Sequence, residues 1–433
     1  MRGTLSLLMR LMIGCACAAL FSAGAAWTSA QQLTPTWVQL GEGDTAVAKV
    51  VVASAGNCPS INIGGKKLPM VERHPIPDGF RPLCEAAVPS NTRSASVNGQ
   101  ALALPKSDPS IVTVFGDTGC RIKSSEVQNC KNPAKWPFEQ VAADAAAEKP
   151  DLMIHVGDYL YREIPCPSGS EAMCGSTPSG DNWETWNADF FTPAAKLLAV
   201  VPWAFTRGNH ESCDRSWRGW FYYFDSRAWD GVCERYSAPY FIKLGSFELV
   251  ILDSSEVQED GADENQVSTY TTQLASIHTT NAWLVAHHPF WAFKSGIMGK
   301  PSVSISVPLQ EAWNRASPKG IDLILSGHIH LFELVVLDHA RPPQIVAGGG
   351  GTNLAAPITA SLNGKPVLGS TVVESQSEDQ FGYTVLAKRG DAWHLSLKNQ
   401  LQDVVFSCSL EQSGETSAAD RTGEGYEGSC GGF

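Results

Sequence analysis

Five short motifs fall in order along the chain: Gly116-Asp117-Thr118-Gly119, Gly157-Asp158-Tyr159-Leu160-Tyr161, Gly208-Asn209-His210-Glu211, His287-His288-Pro289 and Gly327-His328-Ile329-His330. Each follows an apolar run of strand-like composition: Ile111–Phe115, Leu152–Val156, Val201–Phe205, Trp283–Ala286 and Ile321–Leu325. Continuous apolar runs bounded by glycine are what strands buried on both faces look like. Each motif supplies oxygen or nitrogen donors suited to a metal. One such coincidence constrains little. Five in sequence describe a sheet whose strand ends converge on a metal centre.

The intervening segments support that architecture. Residues 137–148, 182–199, 266–278 and 308–316 carry helical patterns, so strands and helices alternate from Ile111 onward. That alternation predicts an α/β (four-layer α+β) domain spanning residues 107–410, with a central β-sandwich flanked by helices. Residues 31–106 have strand-like runs such as Thr45–Ala53, no helix-length period and many Gly and Pro, which predicts a small β-rich N-terminal domain. Tyr383–Leu397 predicts closing strands, and residues 411–433 a polar, Gly-rich tail. Gly348–Thr352 lacks the Gly-Lys-Ser/Thr ending of a phosphate loop and is expected to be a tight strand-to-loop connection.

The chain opens with Arg2 and Arg10, an apolar stretch and small-residue cleavage options, so residues 1–30 are expected to be a secretory signal. Leu11–Ala26 is short for a membrane span, which needs about 20 apolar residues, and no stable span is expected after its removal. Beyond the signal's Cys15 and Cys17, ten cysteines remain. Their clustering suggests the pairs Cys58–Cys84, Cys120–Cys130, Cys166–Cys174, Cys213–Cys233 and Cys408–Cys430, and with them a secreted or periplasmic location. A net charge of −12 argues against nucleic acid as a partner, because phosphate backbones are held by Lys and Arg. A phosphorylated substrate would instead be drawn by cations local to the site. The oligomeric state is not specified by any of these features.

Two metal ions sharing one carboxylate need about seven protein ligands. Asp117, Asp158, Tyr161, Asn209, His287, His328 and His330 match that number. With those residues in place, the chain resembles a calcineurin-like metallophosphoesterase of the purple acid phosphatase type, over roughly residues 110–400. Asp-x-His, the usual first motif of the wider family, is here Asp117-Thr118-Gly119, and Tyr161 stands three residues after Asp158. The resemblance implies a ferric site held by Asp117, Tyr161 and His330, and a second site for iron(II), zinc or manganese held by Asn209, His287 and His328. Asp158 would bridge the two. A phenolate suits a hard trivalent ion, whereas neutral imidazoles suit softer divalent ones.

The implied activity is hydrolysis of phosphate monoesters by a metal-bound hydroxide, with an acidic pH optimum and a small phosphorylated substrate. His210, beside Asn209, is expected to hydrogen-bond the substrate or protonate the leaving group, and Glu211 to orient it. Alternatives on the same fold are a phosphodiesterase or nucleotidase and, more remotely, a non-catalytic metal-binding scaffold. His288 is expected to play a structural part and His155 to be a satisfied core residue. Histidines that follow the fourth motif in the plant enzymes are absent from Phe290–Lys300.

Overall fold

The computed structural model describes residues 34–411, apart from 260, 296–300, 304–305, 339–340 and 391, with the backbone of 428–432. The expected signal and most of the polar tail lie outside the described residues. Two large sheets dominate. One has eleven strands and the other eight, and two-stranded ribbons plus a four-stranded sheet complete the set.

Strands Ile111–Phe115, Leu152–His155 and Trp203–Phe205 lie parallel at the centre of the first sheet. Strands Phe247–Leu252, His278–Ala286, Lys319–Ser326 and Gln344–Ala347 lie parallel in the second. All five expected strands are therefore present, each with no more than two residues between its end and its motif. The sheets pack face to face: Val112, Val114, Ile154 and Val156 of one share a core with Leu249, Trp283, Val285 and Leu323 of the other. The opposite face of the first sheet is covered by helices Phe138–Ala147, Thr192–Leu198 and Trp217–Tyr223 through Phe115, Met153, Trp203 and Phe205. Helices Glu264–Ala275 and Val307–Ala316 cover the second through Val250, Leu252, Leu284 and Ile324. This is the four-layer α/β arrangement anticipated. Burying one Val, Leu, Ile or Phe is worth roughly 1.5–3 kcal/mol, so the four layers hold the strand ends firmly in place.

The β-rich segment before residue 106 takes part in the same framework. Thr36–Leu40 pairs in parallel with Trp203–Phe205, and Ala46–Val51 and Leu83–Val88 extend the eleven-stranded sheet beyond it. Ser60–Ile63, Lys66–Pro69, Ala95–Val97 and Gln100–Ala101 form the separate four-stranded sheet. Lys49, fully buried, donates from Nζ to the carbonyls of Tyr223 (2.9 Å) and Asp225 (3.1 Å). Arg73 donates to the carbonyls of Phe221 and Arg227 and pairs with Glu85 at 3.0 Å. Both cations thus cap the C-terminal end of the helix that follows the third motif, where carbonyls lack helical partners. Toward the other end of the chain, Gly382–Arg389 and Ala392–Asn399 form the closing hairpin, and Gly428–Gly432 adds an edge strand.

Cys58–Cys84, Cys120–Cys130, Cys166–Cys174 and Cys213–Cys233 are bonded as expected. Cys408 is also disulfide-bonded, while the side chain of Cys430 lies outside the described residues. No described helix is long and apolar enough to cross a membrane. Replacing Cys213 and Cys233 together by Ala should cost roughly 3 kcal/mol, the chain-entropy value for a loop of this length. Denaturant unfolding of the unreduced protein checks it, and an unchanged midpoint would contradict a stabilising role.

Candidate metal centre

Asp117, Asp158 and His328 have left-handed backbone conformations, with φ of +57°, +60° and +71°. For residues other than glycine such conformations cost about 1–3 kcal/mol each, and they persist only where the surroundings enforce them. Here the loops brace one another. Asp117 N donates to Gly157 O and Thr118 N to Asp158 O, both at 3.0 Å. His328 N donates to the Asp117 carboxylate, 3.0 Å from Oδ2. Gly350 N and Thr352 N donate to the carbonyls of Gly116 and Asp117, so the Gly348–Thr352 segment is the tight connection expected. A Cβ on Gly350 would stand 2.4 Å from Gly116 O.

The turn after Asp158 rests on two buried carboxylates. Glu211 accepts from the backbone of Asp158 (3.1 Å), Tyr159 (2.8 Å), Leu160 (3.1 Å) and Gly208 (3.1 Å). Burial, with the nearby Asp158 charge, pushes Glu211 up to about 8. This corrects the sequence expectation. The 3-10 turn Asn209–Glu211 directs the glutamate beneath the Asp158 loop rather than toward His210. The second carboxylate, Asp189, accepts from Cys120 N at 3.1 Å, Tyr161 N at 2.9 Å and Arg162 Nε at 2.5 Å. It therefore ties the first and second motifs together. Asp189 lies on a π-helical stretch, Asn187–Phe191, within the expected helix 182–199. The same crowding explains Gly119, where a Cβ would come within 2.8 Å of Tyr161 N and 2.5 Å of Tyr159 O.

On this scaffold the seven candidate ligands converge. Tyr161 Oη lies 3.0 Å from Asp117 Oδ1, 2.8 Å from Asp158 Oδ2 and 3.0 Å from His330 Nε2. Beside it, His287 Nε2 is 3.2 Å from Asp158 Oδ2 and 3.0 Å from Asn209 Oδ1, which is also 3.0 Å from His328 Nδ1. Donor atoms of Asp117, Asp158 and His330 all lie within 4.8 Å of one another, as do those of Asp158, His287 and His328. Asp158 belongs to both groups.

The donor set fits cations. Each histidine presents one nitrogen to the centre and commits the other outward: His287 Nδ1 to Val156 O (2.8 Å), His330 Nδ1 to Asn353 O (2.8 Å) and His328 Nε2 to Glu259 Oε1 (3.3 Å). An outward N–H held by an acceptor leaves an inward lone pair, the arrangement that metal-ligating histidines use. The protein alone lacks enough positive charge here. Burial pushes Asp117 up to about 8, His287 opposing and Asp158 adding to the rise, and burial carries Tyr161 well above its ordinary value. Burial tends to raise Asp158 too, but His287 and His210 outweigh it and hold that carboxyl low. Cations would favour the anionic form of all three oxygen donors.

His210 stands at the edge of the centre, its ring centroid 3.8 Å from that of Tyr161 and its Nε2 3.9 Å from Asp158 Oδ2. Its Nδ1 faces Glu163 Oε1 at 2.8 Å. His288 packs against His328 with ring centroids 4.2 Å apart, and His155 is buried behind the first motif, 3.1 Å from Thr118 Oγ1. The centre opens into a cleft of about 350 Å³ whose walls include Arg121, Lys123, Glu259 and Lys294. Sequence reasoning missed Glu163, Arg121, Lys123, Glu259, Asn353 and Asp189. The first three are charged residues within five positions of a metal motif, which was the available signal.

The family model for calcineurin-like phosphoesterases (Metallophos) matches residues 111–332, the span that carries every candidate ligand. The chain belongs to the calcineurin-like phosphoesterases. No curated protein sequence matches it. Among solved structures, a purple acid phosphatase from yellow lupin (Lupinus luteus) seeds has a similar fold, with TM-score 0.55 and 16% identity over 88% of this chain and 75% of that one. PhoD also matches, with TM-score 0.50 and 10% identity over 84% of this chain and 85% of that one. This calcineurin-like phosphoesterase therefore has a fold that a family with dinuclear centres shares, and residues fit to hold such a centre.

Asp158→Ala should lower occupancy at both metal positions, and Asn209→Ala chiefly at one. Asp189→Ala, which touches no candidate ligand side chain, should still weaken metal affinity by ~10–100-fold, as supporting residues typically do. Metal analysis after dialysis against graded chelator reads all three. Loss of only one metal from Asp158→Ala would contradict the shared carboxylate.

Proposed function

We propose that the protein is a phosphatase of the purple acid phosphatase type, hydrolysing phosphate monoesters at a centre of iron(III) paired with iron(II), zinc or manganese. The observation that carries this reading is the meeting of Tyr161 Oη with Asp117, Asp158 and His330, beside a Gly119 too confined to be a histidine. Asp117, Tyr161 and His330 would hold the ferric ion, Asn209, His287 and His328 the divalent one, and Asp158 both. Two such cations supply Lewis acidity to a phosphoryl group and lower the pKa of water, the ferric ion most, which favours activity at acidic pH.

The chain's own residues supply the rest. Asp117, Asp158 and Tyr161 fix the spacing of positive charge at the floor of the cleft. His210 presents Nε2 toward the substrate side and donates a proton to the departing oxygen. The Leu160 carbonyl accepts from Nδ1 at 3.1 Å and the Glu163 carboxylate stands 2.8 Å from the same nitrogen, so Nδ1 keeps its proton and the doubly protonated ring gives up the one on Nε2. Small phosphorylated molecules suit a cleft of about 350 Å³. Four disulfides suit an oxidising compartment, and we place the protein outside the cytosol, secreted or periplasmic.

The purified, oxidised protein should be coloured by charge transfer from Tyr161 to iron(III), and Tyr161→Phe should lose or strongly shift the visible band. A colourless wild type that is active with zinc or manganese alone would refute the ferric assignment. p-Nitrophenyl phosphate should turn over much faster than its bis-ester, and the reverse preference would mark a phosphodiesterase.

Proton donation by His210 has its own signature. Positioned acid catalysis is worth about 10²–10⁴-fold, and alkoxides need it more than the nitrophenolate ion. His210→Ala should therefore slow glycerol phosphate far more than p-nitrophenyl phosphate at full metal occupancy, with Glu163→Gln producing part of the same asymmetry. Equal slowing of both substrates would mean that His210 binds phosphate instead.

A further inference from the structure

In a chain of net charge −12, the cleft over the candidate metal centre is cationic on its Tyr161 side. Arg121 and Lys123 flank Ile122 on the ribbon formed by Ile122–Lys123 and Glu126–Val127. Ile122 is fully buried, and the alternation of an extended chain turns its two neighbours the other way, both lining the cleft. The ribbon is fixed. Cys120–Cys130 closes it, Ile122 N donates to Tyr161 O at 3.1 Å, and Arg121 N donates to Gln128 Oε1 at 2.9 Å. Gln128 in turn donates to Gly351 O at 2.8 Å.

Arg121 is aimed rather than spent. Its Nε donates to Glu126 Oε2 at 2.8 Å, and the other Glu126 oxygen accepts from Asn353 Nδ2 at 2.7 Å. Asn353 O is the acceptor that orients His330, so the guanidinium is registered to the centre. Arg121 Cζ sits 5.5 Å from the Tyr161 ring, yet its Nη1 is buried without a hydrogen-bond partner. Buried donors are almost always paired, and because Arg121 lines the cleft its spare donor is available to a bound acceptor. Lys123 forms no ion pair among the described residues, whereas Arg215 is engaged by Glu163. Burial, with Arg121 and Arg215 nearby, lowers the Lys123 ammonium below its ordinary value against the opposing pull of Glu163 and Glu126.

The metal ions would hold the scissile phosphate. Lys123, without an ion pair among the described residues, and Arg121, which commits Nε to Glu126, offer their remaining donors to a second acidic group. We propose that Arg121 and Lys123 form a second anion subsite, which selects phosphate esters or anhydrides bearing another anionic group next to the scissile phosphate. This rests on the phosphatase reading above and adds the substrate class to it. The second group is a phosphate or a carboxylate, which the same two cations would hold.

The test compares the metal-loaded full chain on glycerol 3-phosphate, 3-phosphoglycerate and pyrophosphate. The wild type should favour one or both of the latter two. Lys123→Ala and Arg121→Gln, metal content unchanged, should each lower kcat/KM for the favoured substrates by about tenfold or more, the usual effect of losing a charged hydrogen bond. Glycerol 3-phosphate should change by less than about threefold, since no such bond is lost. Sensitivity of pyrophosphate alone, or of 3-phosphoglycerate alone, upholds the subsite and identifies the group it takes. Equal losses on all three would place both cations on the scissile phosphate and overturn the proposal while leaving the phosphatase reading intact. If none is hydrolysed, that reading fails, and calorimetry with methylenediphosphonate against methylphosphonate still decides the subsite. Tighter binding of the diphosphonate, lost in Lys123→Ala, supports it, and equal binding in the wild type rejects it.

Discussion

Three acidic oxygen donors, from Asp117, Asp158 and Tyr161, meet within about 3 Å in a buried pocket, and everything around them serves to keep them there. Left alone, such a group repels itself and is starved of water, and the upward push on Asp117 and Tyr161 expresses that cost. The backbone adds to it, with both aspartates in left-handed conformations. The folding free energy of the four-layer core is what tolerates this concentration of strain and charge. Parallel strands buried on both faces cannot shift without exposing Val114, Ile154 or Val285, so their ends stay where the donors must be.

The parts of the structure visible in the sequence are those with local causes. Fully buried strands read as apolar runs, so four of the five are legible to within two residues at their ends. The fourth in chain order begins at His278, five residues before the expected Trp283, where its polar, exposed start breaks the apolar run. The candidate ligands are legible because polar donors at the ends of five buried strands are carried to one edge of the sheets. The role of Glu211 is not, because adjacency in sequence to His210 says nothing about which way a 3-10 turn directs each side chain. Asp189 is hidden for a related reason. Only the π-helical widening of Asn187–Phe191 turns it inward, and the helical period of that segment gives no sign of it. The continuity of Thr36–Leu40 with Trp203–Phe205 rests on a single registered pair between segments far apart in the chain.

Gly119 stands two residues after Asp117, and Tyr161 three after Asp158. The structure gives the bare glycine a steric basis. The backbone of Tyr159–Tyr161 and the Asp189 carboxylate fill the space in which a side chain at residue 119 would sit. Gly119 and the turn that carries Tyr161 are therefore fitted to one another. A similar economy links the walls of the cleft to its floor. The Glu126–Asn353 relay that positions Arg121 also orients His330, and Glu259 both accepts from His328 and lies 3.7 Å from Lys294. Residues facing substrate and residues facing metal are thus positioned together.

The most direct test of the account is a crystal structure of the metal-loaded protein with anomalous diffraction recorded at the iron edge and at the edges of zinc and manganese. The account predicts two anomalous peaks about 3.5–4 Å apart, the usual separation in paired sites. The Asp158 carboxylate should lie between them, Tyr161 on one side and Asn209 on the other. A fully active protein with a single peak, or with two peaks that do not share Asp158, would contradict it.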